Sequence, residues 1–534
     1  MIRFLVEIKQ CNANGVAAEC EQMQPIRFLS ASPNPDNPSD HRILRIEGGY
    51  TPSVPVRLEV PNFSIQLSEN VSGMILNQSF SLNFLNHDGF FDDETKWDLF
   101  NSFVTLKKAV KDNPKYEEFV AIREGTAGNA KTSFSNFNIE VYDQLRSMSK
   151  PVCNVIKENS FDSFRVTNPD AIGKNIPVVY GTRKVKLIKL GERPGRSHYL
   201  AAEYLTNIKE VLNKDGVSVL EPGERIINED GGRFSIRSPD ADTAIVTGYC
   251  NRKIGEVIRH LTTEKLEIPF DDNNWNREEF NRYIAISPTV NIVFDSGSIR
   301  AAIQEVLKSD MAYFIQQLDG KFTIRRWGEI YNVHNIGSWQ ITQQPQKGFA
   351  KAEENYFSEC VVGYWNVNTN DHTESRRYHP HIGESRHGKE RRFDYDTNLA
   401  ENYDAQALAK LLALRYTTLR QRVRVGIAMD TSGLNLLDVV VFDDHYSSES
   451  GITINGRRFS RGGVFIITEI NPAQDILVLE DISDIVWDID GRDTTYKAPG
   501  SESPGENYYR ADYDEMDAKF DRNGYKFIFD GGKA

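Results

Sequence analysis

The sequence predicts a mainly β protein with some α-helix, an α+β chain divided into several domains. A length of 534 residues exceeds what one hydrophobic core holds, and at about 150 residues per domain three or four domains are expected. A hydrophobic content of 39% with 26% charged residues predicts a folded, globular chain. Short runs in which apolar and polar residues alternate outnumber runs with helical spacing, and this predicts a chain rich in strands.

The composition narrows the classes of function. A formal net charge of −13 disfavours a general nucleic-acid-binding surface, because phosphate contacts require clustered Lys and Arg. The five cysteines are scattered without a C-x-x-C pair, which predicts free thiols in a chain that folds in the cytoplasm. No apolar run reaches the roughly 18 to 20 residues that span a bilayer. Residues 1–8 alternate and carry charges, so we expect a strand there and no signal peptide.

The first segment, residues 1–165, is predicted to be a β-rich domain. Its alternating runs lie at Phe4–Ile8, Ile43–Ile46, Phe63–Leu67, Phe80–Phe84 and Ile139–Asp143. Asn86-His87-Asp88-Gly89 ends the fourth run, because these residue types tolerate turn geometry. The spacing of Trp97, Phe100 and Val104 predicts a short helix over Lys96–Lys108.

The second segment, residues 166–290, is predicted to be an inserted β-rich domain. It opens with a run in which Pro177 sets an extended approach, Val178–Tyr180 form a strand and Gly181 ends that strand. Further short strands are expected up to about residue 250, and the apolar spacing after it predicts a short helix over Gly255–Leu261.

The third segment, residues 291–344, is predicted to be a helix–hairpin domain of α+β type. Ser298 is suited to cap a helix that carries apolar residues from Ile299 to Leu307. Met311–Ile315 then reads as a strand, and the turn Leu318–Lys321 leads into a return strand that begins at Phe322.

The fourth segment, residues 345–490, repeats the order of helix and strand. An amphipathic helix is expected from Asp404 to Tyr416, followed by a strand over Val423–Ile427 and a turn that leads into a strand ending at Phe442. A β-hairpin is expected across Asn471-Pro472. Residues 491–534 read as a linker and an aromatic, acidic tail, which either docks on a partner or packs as a hairpin on its own domain.

Two clusters of polar residues could take part in chemistry. For both, a structural role is the favoured interpretation. Four histidines lie among arginines that would repel a cation, and this predicts a solvated basic loop at His372, His379, His381 and His387. Asp88, Asp92, Asp93 and Glu94 follow a turn, and we expect them to cap the helix predicted after it. Nucleophile, zinc-protease and phosphate-loop motifs are absent, so we predict no catalytic, cofactor-binding or metal-binding residue and no enzymatic activity.

Three stretches carry a family resemblance. The strand with its N-x-D-G-x-F turn, the segment G-K-x-I-P-x-V-Y-G and the hairpin D-G-K-F-x-I resemble, in this order, segments of the hub proteins of phage tails and baseplates and of related contractile injection systems. The candidate interface and motif residues are Asn86, Asp88, Gly89, Phe90, Ile176, Pro177, Tyr180 and Gly181. The chain departs from the family pattern at Leu436-Leu437-Asp438, where hub proteins commonly have a P-G-D turn.

The resemblance implies a fold and a function. Two tube-like β-barrel hub domains, at residues 1–165 and 345–490, would share a fold and carry the other domains as insertions. Three copies would form a ring that joins the hexameric tail tube to the central spike in the virion and lets DNA or the tape-measure protein pass. The implied partners are the tail tube protein, the spike protein and the tape-measure protein. Two alternatives remain open: a tail-associated hydrolase of cell wall or polysaccharide, and a receptor-binding tail protein.

Overall fold

The structure of the chain is a computed structural model. It describes residues 3–9, 25–30, 43–46, 49–52, 54–56, 58, 64–67, 72–75, 80–86, 89, 91–92, 99–100, 102–109, 114–142, 148–161, 164–220, 226–229, 232–250, 252–337, 340–349, 357, 359–366, 371–378, 392–416, 421–428, 431–442, 453–454, 457–458 and 464–482. Strands dominate these residues and helices are few, which confirms the predicted fold class. The described helices are too short or too polar to cross a lipid bilayer.

The amino-terminal part forms a closed sheet. Its strands are β1 (Arg3–Lys9), β2 (Ile26–Ser30), β3 (Ile43–Ile46), β4 (Gly49–Pro52), β5 (Val54–Val56), β6 (Ile65–Gln66), β7 (Gly73–Ile75), β8 (Phe80–Leu85), β9 (Phe103–Ala109), β10 (Val120–Thr132) and β11 (Asn136–Tyr142). Seven of them pair in the order β5-β2-β1-β9-β10-β11-β8, and β3 pairs with β4. A bridge between Leu58, just after β5, and Phe84 of β8 joins the two ends, so the sheet closes into a barrel.

Alternate residues of each strand fill this barrel. In β8 the side chains of Phe80, Leu82 and Phe84 are buried, whereas Ser81 is exposed. Strands from all around the sheet contribute to one apolar cluster in this way. The period of two that predicted the strand therefore also determines which of its residues form the core.

The helix predicted over Lys96–Lys108 is wrong in its second half. Residues 103–109 form β9, which pairs with β1 on one side and β10 on the other. Val104 and Leu106 are both buried, as a period of two requires, so backbone pairing on two sides overrides the helical spacing that Trp97 suggested. Residues 93–98 lie outside the described part of the chain.

The next part of the chain consists of small sheets. Its strands are β12 (Val178–Tyr180), β13 (Thr182–Lys186), β14 (Ile188–Arg193), β15 (Arg196–Leu200), β16 (Asn207–Leu212), β17 (Ile227–Glu229), β18 (Arg233–Ile236) and β19 (Thr243–Thr247). One sheet has the order β13-β19-β16 and another has the order β14-β15-β18-β17. They share an apolar core around Tyr199 and Phe234.

A helical unit follows. Its elements are α1 (Ile254–His260), α2 (Arg277–Ile286), β20 (Ile292–Phe294), α3 (Ile299–Leu307), β21 (Ala312–Gln316) and β22 (Phe322–Arg326). The predicted cap is confirmed, because the Ser298 hydroxyl accepts a hydrogen bond from the backbone N–H of Ala301 at 3.2 Å. Helix α2 was not predicted, because Phe280 and Tyr283 are its only buried residues and its apolar pattern is correspondingly weak.

The last part contains a second large sheet. Its elements are β23 (Val333–Ile336), β24 (Ile341–Phe349), β25 (Glu359–Asn366), β26 (Asp371–Tyr378), β27 (Arg392–Asp396), α4 (Asn402–Tyr416), β28 (Gln421–Ile427), β29 (Val439–Phe442), β30 (Thr453–Ile454), β31 (Arg457–Arg458), β32 (Val464–Asn471) and β33 (Ile476–Asp481). The main path of the sheet is β23-β29-β32-β33-β28-β24, with β6 paired to β32. Among the described residues, β23 and β24 each have one partner strand, so this sheet has two open edges.

The basic loop predicted around the histidines is in part a strand. Residues 371–378, which include His372, form β26 and pair with β25. The segment forms a strand because it pairs with the largely buried strand β25. The composition of residues 371–378 alone does not show that such a partner strand lies beside them. His379, His381 and His387 lie outside the described residues, and so does the predicted tail at 491–534.

The chain between β5 and β8 enters two other sheets. Strand β6 pairs with β32, with Ile65 opposite Ile470, and β7 runs parallel to β21, with Gly73 opposite Tyr313. The amino-terminal barrel is therefore joined by backbone hydrogen bonds to the second large sheet and to the helical unit.

A buried ion pair joins the two large sheets. Lys108 of β9 is almost completely buried, and its Nζ donates to Asp475 Oδ1 at 2.5 Å and to the Pro472 carbonyl at 2.8 Å. The Thr431 hydroxyl donates to the same carboxylate oxygen at 3.1 Å. Ala473, in the turn between β32 and β33, belongs to the apolar cluster of the barrel. The turn between β32 and β33 therefore packs against the wall of the barrel, and its ion pair with Lys108 fixes its position.

Replacing Lys108 with Met should destabilise the protein strongly. The substitution keeps an unbranched side chain that is one atom shorter and leaves Asp475 buried without its counter-charge, which costs about 3–5 kcal/mol. Urea unfolding followed by tryptophan fluorescence measures the loss. The control is Lys131→Met, which removes an exposed ion pair whose Nζ and Glu140 Oε1 are 3.5 Å apart and should cost at most about 0.5 kcal/mol. Equal losses in the two variants would contradict the role assigned to Lys108.

Candidate functional site

Asn86, in the first sequence motif, ties a loop to the tip of a hairpin. Its side chain is buried, and Nδ2 donates to Asp92 Oδ1 at 2.7 Å and to the Ser133 carbonyl at 3.3 Å. Its Oδ1 accepts from the backbone N–H of Phe91 at 2.9 Å, and its own N–H donates to the Ser135 carbonyl at 2.8 Å. Asn86 therefore connects the end of β8, the following loop and the turn between β10 and β11.

The rest of the first motif shapes that loop. Gly89 has φ of 69°, in the left-handed region that glycine adopts without strain. Phe91 enters the barrel and stacks on Phe137, with ring centroids 4.4 Å apart and planes 6° from parallel. Asp92 accepts the Asn86 amide, so this acid stabilises the loop itself. Asp88, Phe90, Asp93 and Glu94 lie outside the described residues.

The hairpin that Asn86 braces ends in an exposed aromatic ring. The turn is closed by the N–H of Ser133, which donates to the Asn136 carbonyl at 2.7 Å, and by the N–H of Asn136, which donates to the Ser133 hydroxyl at 3.0 Å. Phe134, between them, is 96% exposed. No other large hydrophobic side chain among the described residues is so exposed.

The second motif attaches the small sheets to the helical unit. Ile176, Pro177 and Tyr180 are buried, and β12 pairs with β20. The Pro177 carbonyl accepts from the N–H of Glu203 at 2.7 Å. Gly181 has φ of 73°, and a Cβ at this position would lie 2.2 Å from Asn291 Oδ1, so only glycine fits the end of this strand.

Tyr180 is the innermost ring of an aromatic ladder that reaches the surface. Its hydroxyl lies 2.8 Å from His260 Nδ1, and its ring is 5.4 Å from that of Tyr249. Tyr249 stacks in turn on Tyr204 at 5.0 Å and 18°, and Tyr204 is 48% exposed. Burial lowers the pKa of His260 and raises that of Tyr180, so both groups are neutral near pH 7.

An ion pair lies beside this ladder. Lys265 Nζ is 2.5 Å from Glu203 Oε1, and the Asn154 amide donates to the same oxygen at 3.0 Å. Lys265 ends a π-helical turn, Leu261–Lys265, that continues α1, and such turns are frequent at functional sites. The ladder thus presents one aromatic face at the surface next to polar groups whose charges are balanced.

A second buried ionic network joins the helical unit to the second large sheet. Arg325, in β22, is fully buried and contacts Glu279 of α2 at 2.5 Å and Asp438, just before β29, at 2.7 Å. His334 Nε2 lies 3.1 Å from Asp438. Burial opposes charge on Asp438, but the hydrogen bond with His334 and the charge of Arg325 hold the pKa of its carboxyl below the ordinary value.

Asp438 ends the turn at which the sequence departs from the P-G-D pattern. Its N–H donates to the Asn435 carbonyl at 3.2 Å, and Leu437 has φ of 68°. Glycine is the usual residue at a turn position with positive φ. Leu436 and Leu437 are instead buried in the core of the second sheet. The burial of these two leucines offsets the backbone strain at Leu437.

A partly buried carboxyl group lies where the barrel meets the β21–β22 turn. A Cβ on Gly320 would lie 2.6 Å from Glu124 Oε2, so this turn packs directly on Glu124 of β10. Burial raises the pKa of Glu124 to about 7, and the nearby charge of Asp319 adds to the rise. Asp319 belongs to the hairpin segment that carries the third element of the family resemblance.

The structure contains few groups suited to metal or thiol chemistry. Within the described ranges, no group of three or more His, Cys, Asp or Glu side chains is arranged to hold a metal ion. Cys153, Cys250 and Cys360 are free thiols, and burial raises the pKa of the Cys153 thiol to about 11, so it stays protonated at neutral pH.

Sequence reasoning missed Lys108, Arg325 and Phe134. For Lys108 a signal existed, because it shares one face of β9 with Val104 and Leu106, and both are buried. Arg325 gave no such signal. Both faces of β22 are buried, and the sequence alone does not distinguish a buried arginine from an exposed one. Phe134 is exposed because it lies in the turn at the tip of the β10–β11 hairpin.

Comparison with known proteins gives structural likenesses only. No protein-family model matches the sequence, and no curated protein sequence matches it. The chain is similar to the prophage MuSo2 43 kDa tail protein from Shewanella oneidensis, at 9% identity and TM-score 0.36, over 82% of this chain and 95% of that one. It is also similar to prophage tail protein gp18 from Listeria monocytogenes EGD-e, at 8% identity and TM-score 0.36, over 82% and 93%. A chain in the virion of a native gene transfer agent particle matches at 11% identity and TM-score 0.36, over 61% and 88%.

Replacing Glu124 with Gln should make the protein less sensitive to rising pH. The unfolded carboxyl titrates near 4.5 and the folded one near 7, so the wild type loses stability as pH rises between these values. The amide stays neutral, so the variant should gain on the order of 1–3 kcal/mol over the wild type at pH 8 and nothing at pH 4.5. Melting temperatures from pH 4.5 to 8 test this, with the exposed Glu267→Gln as control. A constant difference across that range would contradict it.

Replacing Asn86 with Ala should loosen the tip of the β10–β11 hairpin. The change leaves the Phe91 N–H, the Asp92 carboxylate and the Ser133 carbonyl without their partner, at a cost of about 2–4 kcal/mol. Hydrogen exchange of residues 133–136 should accelerate. Asn86→Asp retains the acceptor for Phe91 and loses both donated bonds, while Ser81→Ala, on the exposed face of β8, should change neither quantity. Unchanged exchange at the tip in the Ala variant would exclude the bracing role.

Proposed function

We propose that this chain is a structural hub protein of a phage-like tail. Three copies form a ring that joins the hexameric tail tube to the central spike in the baseplate or tail tip. DNA or the tape-measure protein passes through the central channel. The units of the chain in this proposal are the hub domains 1–165 and 345–490, the inserted domains 166–290 and 291–344, and the linker and tail 491–534.

One observation carries the proposal. A single chain contains two large β-sheets of seven strands, and a buried ion pair between Lys108 and Asp475 holds them in a fixed relation. A protein that adapts a threefold spike to a sixfold tube needs two β modules per chain at a constant spacing. A pair of modules joined by a flexible linker would not meet this need.

The open edges of the second sheet support an assembly role. Strands β23 and β24 present unpaired backbone groups on one side, within the part of the chain that the structure describes. Such edges are liabilities in a monomer, because they are templates for pairing with other chains. In a ring, a neighbouring subunit covers them, and an obligate interface of this kind is large and closed by symmetry.

The partners follow from the same role. The ring contacts the tail tube protein above it, the spike protein below it and the tape-measure protein within it, and the assembly is located in the virion. With a net charge of −13 the channel is expected to let DNA slide without specific binding, since retention requires clustered cations. No enzymatic activity is part of this role.

The aromatic ladder favours a second candidate, a receptor-binding tail protein. The stack behind Tyr204 holds one exposed ring rigidly beside the Glu203–Lys265 pair, as in sites that bind a ligand through an aromatic face. The comparison of wild type and Tyr204→Ala in adsorption to host cells tests this function. Equal adsorption would remove the only observation in its favour.

The mass of the purified protein in solution tests the hub proposal. A closed ring of three chains of 60.8 kDa should give about 182 kDa by light scattering, and electron micrographs should show particles with a central channel. The expected complex stays intact on dilution to micromolar concentration, because obligate interfaces are large. A monomer at all concentrations, with no ring after addition of the tail tube and spike proteins, would exclude the proposed function.

A further inference from the structure

Arg183 carries a positive charge that no carboxylate neutralises within the described part of the chain. It is the second residue of β13, and its Nε and Nη1 atoms are buried without a hydrogen-bond acceptor among the described residues. Burial lowers the pKa of its guanidinium to about 10, so the group stays charged at neutral pH. Buried charges in proteins are normally paired, and this arginine is therefore suited to an anion.

The side chain of Trp365 lies against this guanidinium. The Cζ atom of Arg183 is 3.6 Å from the centroid of the Trp365 ring, which is a cation–π contact. The indole Nε1 is also buried and has no acceptor in the ranges that the structure describes. Trp365 belongs to β25, and its backbone N–H donates to the Leu399 carbonyl at 2.8 Å. The ring therefore orients the guanidinium and places a second kind of donor beside it.

Asn291 contributes an amide donor from the helical unit. It is fully buried just before β20, and its Oδ1 accepts from the N–H of Thr182, the residue before Arg183, at 2.9 Å. This bond determines the orientation of the amide. Its Nδ2 has no acceptor among the described residues. The Asn291 N–H donates to the Asn398 carbonyl at 2.8 Å, and the next residue of that segment accepts from Trp365.

A second arginine brings positive charge to the same place. A Cβ on Gly181 would lie 2.2 Å from Asn291 Oδ1 and 3.0 Å from Arg252 Cδ, so the Arg252 side chain adjoins the Asn291 amide. The small sheets, the helical unit and β25 meet at this cluster. Ligand sites in proteins occur preferentially at such boundaries.

We propose that Arg183, Asn291 and Trp365 together bind a phosphate-type oxyanion, free or as the terminal group of a larger ligand. One edge of a planar guanidinium suits two oxygens of such an ion, and the amide and indole N–H groups donate to the others. A carboxylate has only two oxygens and would leave the amide and the indole unpaired. The charge of Arg252 favours a doubly charged ion over a singly charged one. The site does not depend on the proposed ring.

Calorimetric titration of the full chain with inorganic phosphate tests the site, with chloride at equal ionic strength as the reference ion. Arg183→Met keeps an unbranched side chain beside Trp365 and should weaken phosphate binding about tenfold or more, because hydrogen bonds with charged groups contribute the most. The matched control is Lys184→Met, which removes the same charge from the next, exposed residue of β13 and should bind phosphate like the wild type. No binding by the wild type, or equal affinity in Arg183→Met, would overturn the proposal.

A second variant replaces the anion by a side chain. Asn291→Asp retains the acceptor for the Thr182 N–H and adds a carboxylate where the anion is proposed to bind. Phosphate binding should be lost, and the melting temperature without phosphate should be no lower than that of the wild type, because the carboxylate supplies a counter-charge to Arg183. Phosphate should raise the melting temperature of the wild type only. Phosphate affinity retained in this variant would contradict the site.

Glycerol phosphate distinguishes the two sources of the oxyanion. Tighter binding than that of inorganic phosphate identifies the ligand as a phosphate ester, and weaker binding identifies it as the free ion. Both results support the site, provided that Arg183→Met loses the binding in each case. A chain that binds phosphate in this way and never assembles would keep the site and lose the hub function.

Discussion

The architecture depends on one buried charge. Lys108 belongs to the wall of the amino-terminal barrel, yet its ammonium group finds its carboxylate on Asp475 of the other large sheet. A lysine without access to water must be paired, and the pair tolerates little change in distance or direction. Compared with an apolar contact, such a pair adds little stability, but it selects one relative orientation. The turn around Ala473, which completes the apolar core of the barrel, is positioned by the same requirement.

The boundary between the helical unit and the second large sheet follows the same rule. Arg325 lies between Glu279 and Asp438 with no exposure to solvent, so the helix, the hairpin and the sheet meet in one arrangement. At both boundaries a cation with almost no exposure to solvent is paired with carboxylates. In the ring proposed for this chain, small rotations of each module would accumulate around the assembly and prevent closure.

The local elements were largely predictable, whereas their relations were not. Period-two alternation correctly predicted β8, and Ser298 marked the beginning of α3, since both signals are local in the chain. The helix predicted through Val104 was wrong, because two neighbouring strands determine the conformation there. The motif around Asn86 contains a residue that ties two parts of the barrel together. Its partner in the hairpin, the Ser133 carbonyl, lies 47 residues later in the chain. The ion pair of Lys108 joins residues even further apart, and no local pattern reports such a distance.

The segment between β5 and β8 has a consequence for how the chain reaches this structure. Ile65 of β6 pairs with Ile470, and Gly73 of β7 pairs with Tyr313, so β6 and β7 pair with strands that are synthesised long after them. Contacts of such sequence separation slow folding, because loop-closure entropy is lost before the contacts form. During translation, this segment has unpaired edges and exposed apolar side chains. Truncation of the chain before β32 would leave β6 without its partner strand.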